Sequence, residues 1–391
     1  MAKIDFLTVI LNRGAIPQVN HLFKRFQKET QVAVEASFVG WDTVWRELVN
    51  IGIYHRGADV AEVGTTWLES LVAMNALRPF SPAEVARCGG KSAYIPATWS
   101  SVSIGNDDRV WGIPIRCDVR VIFYWKDMFE RAGVDPDTAF ESIPNIQKSL
   151  EKLKSVVSTP WGIATDAGDP NIIQAMASWV WAFGGDFVTP NCNKVLLLES
   201  PSLDALRAYF GLYPYVPKGA LGFVKRNVAA IMAGPWILQE FANLGFSKKD
   251  MAQIGIAIPP GPPFVGGTVL SIWHQDALNT HIGDSIKFIE FLTRPETQLE
   301  YCPFLGLLPT RQEAWEMPPF VDNPYYKVIR QALSMGRSLP VVPLWGMVEE
   351  KLNKGIAMVW DDLLTNQDAD VDRAIHQHLE PVVTRLNLSL K

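Results

Sequence analysis

The sequence lacks the features that mark membrane, nucleic-acid-binding and disulfide-stabilised proteins. The stretch best suited to membrane insertion, residues 6–11, is far shorter than the roughly 20 apolar residues of a spanning helix. No run of Lys and Arg exceeds two residues and the net charge is -5, so binding to a nucleic-acid backbone is not expected. The four cysteines contain no CxxC pair, and we favour free thiols, with one or two disulfide bridges as the alternative: Cys88, Cys117, Cys192 and Cys302.

The motifs of common enzymes are missing as well. There is no GxxxxGK phosphate loop, no GxGxxG after a strand, no HExxH and no GxSxG elbow. His376 and His378 lie two residues apart on a predicted helix and therefore on different faces, so we expect neither a joint metal site nor a cofactor. Glycoside hydrolysis needs only two carboxylates and no sequence spacing, which leaves Asp118 and Asp186 as candidates for it. We nevertheless predict a protein that is not an enzyme.

Tryptophan is abundant. The chain has 14 Trp, 19 Phe and 9 Tyr in 391 residues. A single hydrophobic core stops growing at about 250 to 300 residues, so we expect two lobes. Most aromatic rings fill cores, but an excess of Trp also suits a site that stacks flat rings on the C–H faces of sugars. We assign Trp45, Trp125 and Trp360 to packing.

The first third of the chain alternates strand and helix patterns. Three apolar strands are predicted at residues 4–11, 32–38 and 59–63, and each is followed by residues with helical spacing. Such alternation is typical of a parallel, doubly wound α/β sheet, in which ligands bind at the carboxyl ends of the strands. The turns at residues 12–14, 39–42 and 64–67 are therefore the places where we expect a ligand.

Two later segments are predicted to cross between the lobes. The first is Gly112-Ile113-Pro114, which leads into a strand at residues 119–125. The second begins with the prolines of residues 259–263 and continues through Gly266-Gly267 into a strand at residues 268–273. A rigid proline segment followed by glycines and an apolar run suits such a connection.

Fragments of sequence in a constant order resemble a known family. They include Gly57-Ala58-Asp59-Val60, Leu77-Arg78-Pro79-Phe80, Val110-Trp111-Gly112-Ile113-Pro114, Gly184-Gly185-Asp186-Phe187, Gly234-Pro235-Trp236 and Gly306-Leu307-Leu308-Pro309-Thr310-Arg311. Together they resemble, almost from end to end, the carbohydrate-binding extracellular solute-binding proteins of ATP-binding-cassette (ABC) importers. That group includes the maltose-binding and trehalose/maltose-binding proteins. The resemblance implies a periplasmic-binding-protein-like fold, two α/β lobes joined by hinge segments with the ligand cleft between them.

The resemblance also implies lobes, partners and a compartment. We expect residues 1–116 and 269–318 in the N-terminal lobe and residues 117–268 and 319–391 in the C-terminal lobe. The expected function is capture of a sugar or small oligosaccharide by lobe closure and delivery to the permease subunits. The protein is expected to be a monomer in the periplasm or on the outer face of the cell membrane. It is expected to reach the membrane only through the transporter or through a lipid anchor, and we expect this chain to be without the anchor and the signal peptide.

Matching the family position by position implies a set of ligand-binding residues. Arg116 and Arg120 would flank Asp118, and Trp236 would stack on the sugar. The predicted set is Asn12, Arg13, Trp41, Asp42, Thr66, Trp67, Arg116, Asp118, Trp236, Gly266, Gly267, Thr268 and Arg337. Packing or helix capping is the alternative for Trp67, Asp42 and Trp236. An alternative ligand, glycerol phosphate or another anionic solute, would draw on the charges of Arg13, Arg116, Arg120 and Arg337.

Overall fold

A computed structural model describes the chain except residues 1, 11–12, 103, 105–107, 168, 170, 219–221, 275–280, 341, 343, 367 and 391, and except the side chains of Asp42 and Asn171. The strands within this part of the chain are β1 Ala2–Val9, β2 Val32–Val39, β3 Val60–Gly64, β4 Leu77–Arg78, β5 Ile113–Val119, β6 Val121–Trp125, β7 Trp161–Gly162, β8 Ala230–Ala233, β9 Ile254–Ala257, β10 Val265–Trp273 and β11 Leu308–Pro309.

Helices connect and cover these strands. They are α1 Ile16–Thr30, α2 Trp41–Tyr54, α3 Leu68–Ala73, α4 Pro82–Arg87, α5 Pro96–Ser100, α6 Lys126–Arg131, α7 Pro136–Ala139, α8 Ile143–Leu153, α9 Asn171–Ala182, α10 Ser202–Phe210, α11 Trp236–Asn243, α12 Lys248–Ala252, α13 Ile282–Leu292, α14 Pro295–Phe304, α15 Pro324–Met335, α16 Trp345–Thr365, α17 Val371–His378 and α18 Glu380–Ser389.

The chain forms two compact units. Unit 1 comprises Met1–Asp118, Val265–Asn323 and Val341–Trp345, and unit 2 comprises Val119–Phe264, Pro324–Pro340 and Gly346–Lys391. The lobes predicted from sequence place residues 117–118 and 265–268 in the second lobe, whereas both segments pack in unit 1. The reason is that β5 and β10 each continue to the unit boundary as uninterrupted strands. Residues 319–323 also belong to unit 1.

The sheet of unit 1 has the order β11-β5-β10-β3-β1-β2, with β4 paired to β10. β1 runs parallel to both β2 and β3, as predicted. β10 is antiparallel to β3, and β11 is antiparallel to β5. The sheet is therefore mixed: the first three strands are parallel, as their alternation with helices predicts, and β10 and β11, which come from later in the chain, pair antiparallel.

The core of unit 1 follows from the spacing of its apolar residues. Val19, Leu22, Phe23 and Phe26 lie on one face of α1 and are all buried, as the interval of three and four residues predicts. The rings of Phe23 and Phe26 meet Phe288 of α13 with centroids 5.6 Å and 5.1 Å apart. This packing holds α1 against α13, and the contact of Phe23 with Phe6 of β1, with centroids 5.8 Å apart, holds α1 against the sheet.

Unit 2 is built on a four-stranded sheet of order β7-β8-β6-β9. All residues of β6 are buried, which is expected of a central strand covered on both faces. Trp125 is 1% and Trp360 is 0% exposed, in agreement with their predicted packing role. Because β7 and β8 are parallel, the segments that follow them leave from the same edge of the sheet.

Several further expectations concern single residues. The four cysteines are free and buried. His376 Nδ1 lies 3.0 Å from Glu380, and His378 Nε2 lies 3.1 Å from Asp362, so the two rings have separate partners. Among the residues that the structure describes, no group of three or more His, Cys, Asp or Glu is arranged to hold a metal ion. No helix in the same part of the chain has the length and apolar character needed to cross a membrane.

Candidate functional site

Three tryptophans meet at the carboxyl edge of the unit 1 sheet. Trp41 and Trp45 lie in α2, which follows β2, and Trp67 ends the short 3-10 helix that follows β3. The ring centroid of Trp67 is 5.6 Å from that of Trp41 and 5.5 Å from that of Trp45. All three are half-buried, so each presents part of its ring to solvent. We call these three residues the tryptophan cluster.

The cluster contains two predicted ligand-binding residues and one residue predicted to pack. Trp41 and Trp67 were expected to contact the ligand, and Trp45 lies against Trp67 as a packing residue would. Gly64 makes room for this arrangement, since a Cβ atom there would lie 3.0 Å from the Trp67 ring. The edge of unit 1 therefore carries one continuous aromatic surface.

Other predicted residues flank the tryptophan cluster. Arg13 is exposed in the turn after β1, and Thr66 is half-buried directly before Trp67. Asn12 and the side chain of Asp42 lie outside the described part of the structure. Arg13 and Thr66 lie at the same edge of the sheet because β1 and β3, which precede them, are parallel. Their roles in binding stay predictions.

A buried polar network lies within the sheet of unit 1. The Glu62 carboxylate accepts hydrogen bonds from the Thr8 hydroxyl at 2.7 Å and from the Val9 amide at 3.2 Å. It also accepts from the Arg116 guanidinium and the Thr268 hydroxyl. Arg116 Nη2 donates to the Val9 carbonyl at 2.7 Å. We call these contacts the Glu62–Arg116 network; it ties β1 and β3 to β5 and β10.

The position of Arg116 differs from the sequence-based expectation. Its side chain is 1% exposed and is bound to a carboxylate that is 0% exposed. A buried charge is stable only when it is paired and hydrogen-bonded. Nε and Nη2 of Arg116 have such partners inside the protein, whereas Nη1 has none among the described residues. Arg116 therefore anchors β5, and its predicted contact with a ligand stays a prediction. The Thr268 side chain is buried in the same network, and its predicted contact with a ligand stays a prediction.

Glu62 was missed by the sequence reasoning. The available signal is a carboxylate inside an otherwise apolar strand, Val60–Gly64, all of whose residues are buried. A charge in such a strand requires a partner, but its spacing does not reveal that the partner is Arg116 of β5.

Gly266 and Gly267 lie where β10 passes close to β5. Gly267 has a φ of +150°, and a Cβ atom there would overlap the carbonyl oxygen of Arg116 and lie 2.9 Å from the Cα of Cys117. Only glycine permits this approach of the two backbones. Gly266 is buried, and Asp118 is half-buried at the end of unit 1. The two glycines therefore bring the strands together, and their predicted contact with a ligand stays a prediction.

Trp236 is the main aromatic residue at the corresponding edge of unit 2. It begins α11 after Gly234-Pro235, directly beyond the carboxyl end of β8. The ring folds back over Gly234, where a Cβ atom would overlap it. The guanidinium carbon of Arg120 lies 4.6 Å from the centroid of the Trp236 ring. Trp236 is half-buried, so part of the ring remains open.

A pocket of about 250 Å³ opens beside Trp236, and its wall is mostly apolar. Asp169, Glu240 and Lys225 are its charged residues. The rest of the lining is Ala164, Gly222, Phe223, Val224, Ile231, Met232, Ala233, Trp236, Ile237 and Leu244. An apolar wall with a few polar groups is the usual composition of a small-molecule site. A sugar presents the same combination, since it has C–H faces and hydroxyl edges.

Arg337 lies near the Arg120 side of unit 2. Its backbone N–H donates to the Pro263 carbonyl at 2.8 Å. Its guanidinium donates to the Asp186 carboxylate and lies 5.0 Å from the centroid of the Trp181 ring. The side chain is 46% exposed, so Arg337 retains solvent-accessible surface while it pairs with Asp186.

Comparisons with known proteins agree with this architecture. The sequence profile of the family described as bacterial extracellular solute-binding protein matches residues 21–328. A putative binding protein of Brucella abortus (strain 2308) is 21% identical over 88% of this chain and 85% of its own length.

Two solved structures are similar over 100% of both chains. One is an ABC transporter solute-binding protein from Thermotoga lettingae bound with α-D-tagatose, with 20% identity and a TM-score of 0.83. The other is UgpB from Mycobacterium tuberculosis in complex with glycerophosphocholine, with 19% identity and a TM-score of 0.81. They confirm the predicted fold class. The chain belongs to the bacterial extracellular solute-binding proteins, the non-catalytic components that serve ABC importers outside the cytoplasm.

Proposed function

We propose that the protein binds a neutral polyhydroxy solute, a sugar or a small oligosaccharide, and delivers it to the permease of an ABC importer. The observation that carries this proposal is the placement of open tryptophan rings at the carboxyl edges of both sheets. These rings are the tryptophan cluster in unit 1 and Trp236 in unit 2. Flat apolar rings suit the C–H faces of a sugar. The tagatose complex of the Thermotoga lettingae protein supports the same class of solute.

The arginines favour a neutral solute over an anionic one. Arg116 is paired with Glu62 and Arg337 with Asp186. The guanidinium of Arg120 donates to Gln174. An anion would have to compete with these partners for the N–H donors of the guanidinium groups. A sugar hydroxyl carries no charge and needs only one such donor, so the existing pairs can stay in place.

A second candidate is an anionic solute such as glycerol phosphate. The glycerophosphocholine complex of the Mycobacterium tuberculosis protein favours it, because that protein has the same fold. In this chain Arg13 and Lys225 are exposed, and both carry positive charge into the candidate regions. This reading predicts an affinity that falls as salt is added.

The proposed contacts come from both units. In unit 1 they are the tryptophan cluster with Arg13, Thr66, Asp118 and the backbone of Gly266, Gly267 and Thr268. In unit 2 they are Trp236 and Arg337. As the family resemblance implies, we propose that the units close on the solute, with contacts from each unit favouring the closed state only through differential affinity.

The test is a thermal-shift screen followed by calorimetry. The purified chain is mixed with mono-, di- and oligosaccharides, polyols, glycerol 3-phosphate and glycerophosphocholine. A compound at 100 times its Kd adds about 2.7 kcal/mol to the free energy of unfolding. A salt-independent shift with a neutral sugar supports the proposal. A shift only with phosphorylated compounds, weakened by salt, would replace it with the anionic candidate.

Variants of Trp236 localise the effect. Trp236→Ala should reduce the stabilisation by the neutral sugar to about a third, because a roughly thirtyfold weaker Kd leaves the sugar at only about three times Kd. Trp236→Phe retains a flat ring and should keep most of it. If both variants bind as the parent does, Trp236 is not a contact and the unit 2 part of the proposal is wrong.

A further inference from the structure

We infer that Arg120 is a positioning residue, which holds the ring of Trp236 in the orientation that stacks on the solute. This inference rests on the proposed function, since it takes Trp236 as a solute contact. It assigns Arg120 a role different from that of an anion ligand, for which its charge would otherwise be suited.

The backbone and the first part of the side chain of Arg120 are held in place by neighbouring residues. The residue lies between β5 and β6 and is 3% exposed. Its backbone N–H donates to the Phe264 carbonyl at 2.9 Å, so the start of its side chain cannot move far. The guanidinium carbon lies 5.3 Å from the centroid of the Phe264 ring and 4.6 Å from that of Trp236. The guanidinium therefore contacts two aromatic rings at once.

Gln174 sets the remaining orientation of the guanidinium. This residue lies on α9 and is half-buried, and its amide oxygen accepts a hydrogen bond from Arg120 Nη2. A hydrogen bond to one end of a planar group restricts rotation of the whole plane. The contacts with Gln174 and Phe264 thus present the guanidinium to Trp236 in a defined position.

Trp236 depends on this support because, within the described part of the chain, no aromatic ring packs against it. The tryptophan cluster holds its rings by mutual contact, whereas the Trp236 ring lies against the backbone at Gly234 and the guanidinium of Arg120. A cation on a tryptophan face restricts the ring more strongly when both are removed from water. We expect loss of this contact to broaden the range of ring positions.

The primary test needs no solute. The protein is labelled with 5-fluorotryptophan, and the ¹⁹F resonance of Trp236 is identified as the one missing from Trp236→Phe. We expect Arg120→Gln to shift or broaden that resonance and to leave those of Trp41 and Trp67 in unit 1 unchanged. Arg120→Lys retains the charge but not the plane, and should give an intermediate change.

Two further variants keep the test decisive if Arg120→Gln unfolds. Gln174→Leu leaves Arg120 in place and removes its polar partner, so it should alter the same resonance to a smaller extent. Arg109→Gln is the matched control, because Arg109 lies 4.9 Å from the centroid of the Trp111 ring in unit 1. It removes the same kind of contact elsewhere and should leave the Trp236 resonance unchanged.

Binding is then measured with maltose and D-tagatose as probes, and with glycerol 3-phosphate as the anionic comparison. Arg120→Gln should raise the Kd for the neutral sugar about tenfold, with the control unchanged. An unaltered Trp236 resonance in Arg120→Gln and Gln174→Leu overturns the inference. So does selective loss of glycerol 3-phosphate binding, which would make Arg120 an anion ligand. If the parent binds no neutral sugar of the thermal-shift screen, the proposed function fails, while the resonance still reports on Arg120.

Discussion

Units 1 and 2 support their exposed aromatic rings in different ways. In unit 1 the turns after two parallel strands bring three tryptophans together, and the rings support one another. In unit 2 a single tryptophan lies against a guanidinium, which itself rests on Phe264 and Gln174. The first arrangement is redundant and the second is a chain of single contacts. Two similar aromatic surfaces can therefore differ in how strongly a single substitution affects them.

The buried arginines show the same contrast. Arg116 in unit 1 is neutralised by the Glu62 carboxylate within a set of hydrogen bonds. Arg120 in unit 2 contacts two aromatic rings and donates to an amide oxygen. A substitution at the first is therefore expected to act on stability, and one at the second on the geometry of the candidate site. Four pairs of substitutions separate effects on stability from effects on the candidate site.

Glu62→Gln should lower the free energy of unfolding of unit 1 by about 3 to 5 kcal/mol, because it leaves the Arg116 charge buried without its partner. Urea unfolding measures this change. The matched control is Glu300→Gln, which breaks the exposed pair with Arg25 at 2.6 Å and should change stability by less than about 1 kcal/mol. Equal effects of the two substitutions would show that the Glu62–Arg116 network stabilises the protein no more than an exposed ion pair does.

Gly267→Ala should lower stability by about 2 to 3 kcal/mol, since the new methyl group meets the backbone of Arg116 and the positive φ adds strain. Gly133→Ala separates the two causes. Gly133 also has a positive φ, of +62°, but a Cβ atom there has nothing within 4 Å, so a loss of only about 1 kcal/mol is expected. If both variants unfold at the same urea concentration, the close approach of β5 and β10 contributes nothing.

Trp236→Ala should weaken sugar binding by about 2 kcal/mol, or roughly thirtyfold in Kd. Trp67→Ala should weaken it by only about 1 kcal/mol, because Trp41 and Trp45 still offer ring surface in unit 1. Isothermal titration calorimetry of both variants with the same sugar measures the two losses of binding free energy. A larger loss with Trp67→Ala would reverse the proposed ranking of the two units.

Glu69→Gln should have the smallest effect and should appear as a change in pH dependence. Burial raises the pKa of Glu69 from 4.5 to about 7, and within the described residues its Oε2 has no hydrogen-bond partner. Between these two pKa values the folded state binds more protons than the unfolded state, so stability falls as pH rises through this window. The variant removes that decline.

Unfolding at several values from about pH 5 to about pH 8 measures the slope. The control is Glu350→Gln, since the hydrogen bond from Lys354 lowers the pKa of Glu350. That group loses its contribution only as the pH falls below this range, so the control should keep the slope of the parent. An unchanged slope in Glu69→Gln would show that solvent reaches its carboxylate freely.

The local elements could be predicted from the sequence because their signals are local. The spacing of Val19, Leu22, Phe23 and Phe26 predicts α1, and the apolar runs predict β1, β2 and β3. The φ of +62° at Gly133, shortly after the end of α6, is the left-handed conformation that glycine favours at a helix end. The turns that carry the tryptophan cluster follow from the same alternation of strand and helix.

The remaining features depend on contacts between distant parts of the chain. Glu62 pairs with Arg116, 54 residues away, and Arg120 reaches Gln174 at the same separation. No periodicity in a single sequence specifies such partners. For this reason the sequence did not reveal that Glu62 is the partner of Arg116 or that Gln174 is a partner of Arg120. The antiparallel insertion of β10 was missed for the same reason.

The location of β10 also affects the order in which the chain folds during synthesis. β10 occupies a central place in the unit 1 sheet, between β5 and β3. A ribosome that has made only the first 264 residues has therefore released β3 and β5 with open edges, which are templates for wrong pairing. The unit 2 sheet needs only residues 121–257. The unit 2 sheet is therefore able to form first, although its strands are made after β1, β3 and β5. The unit 1 sheet is complete only after β10 has been made.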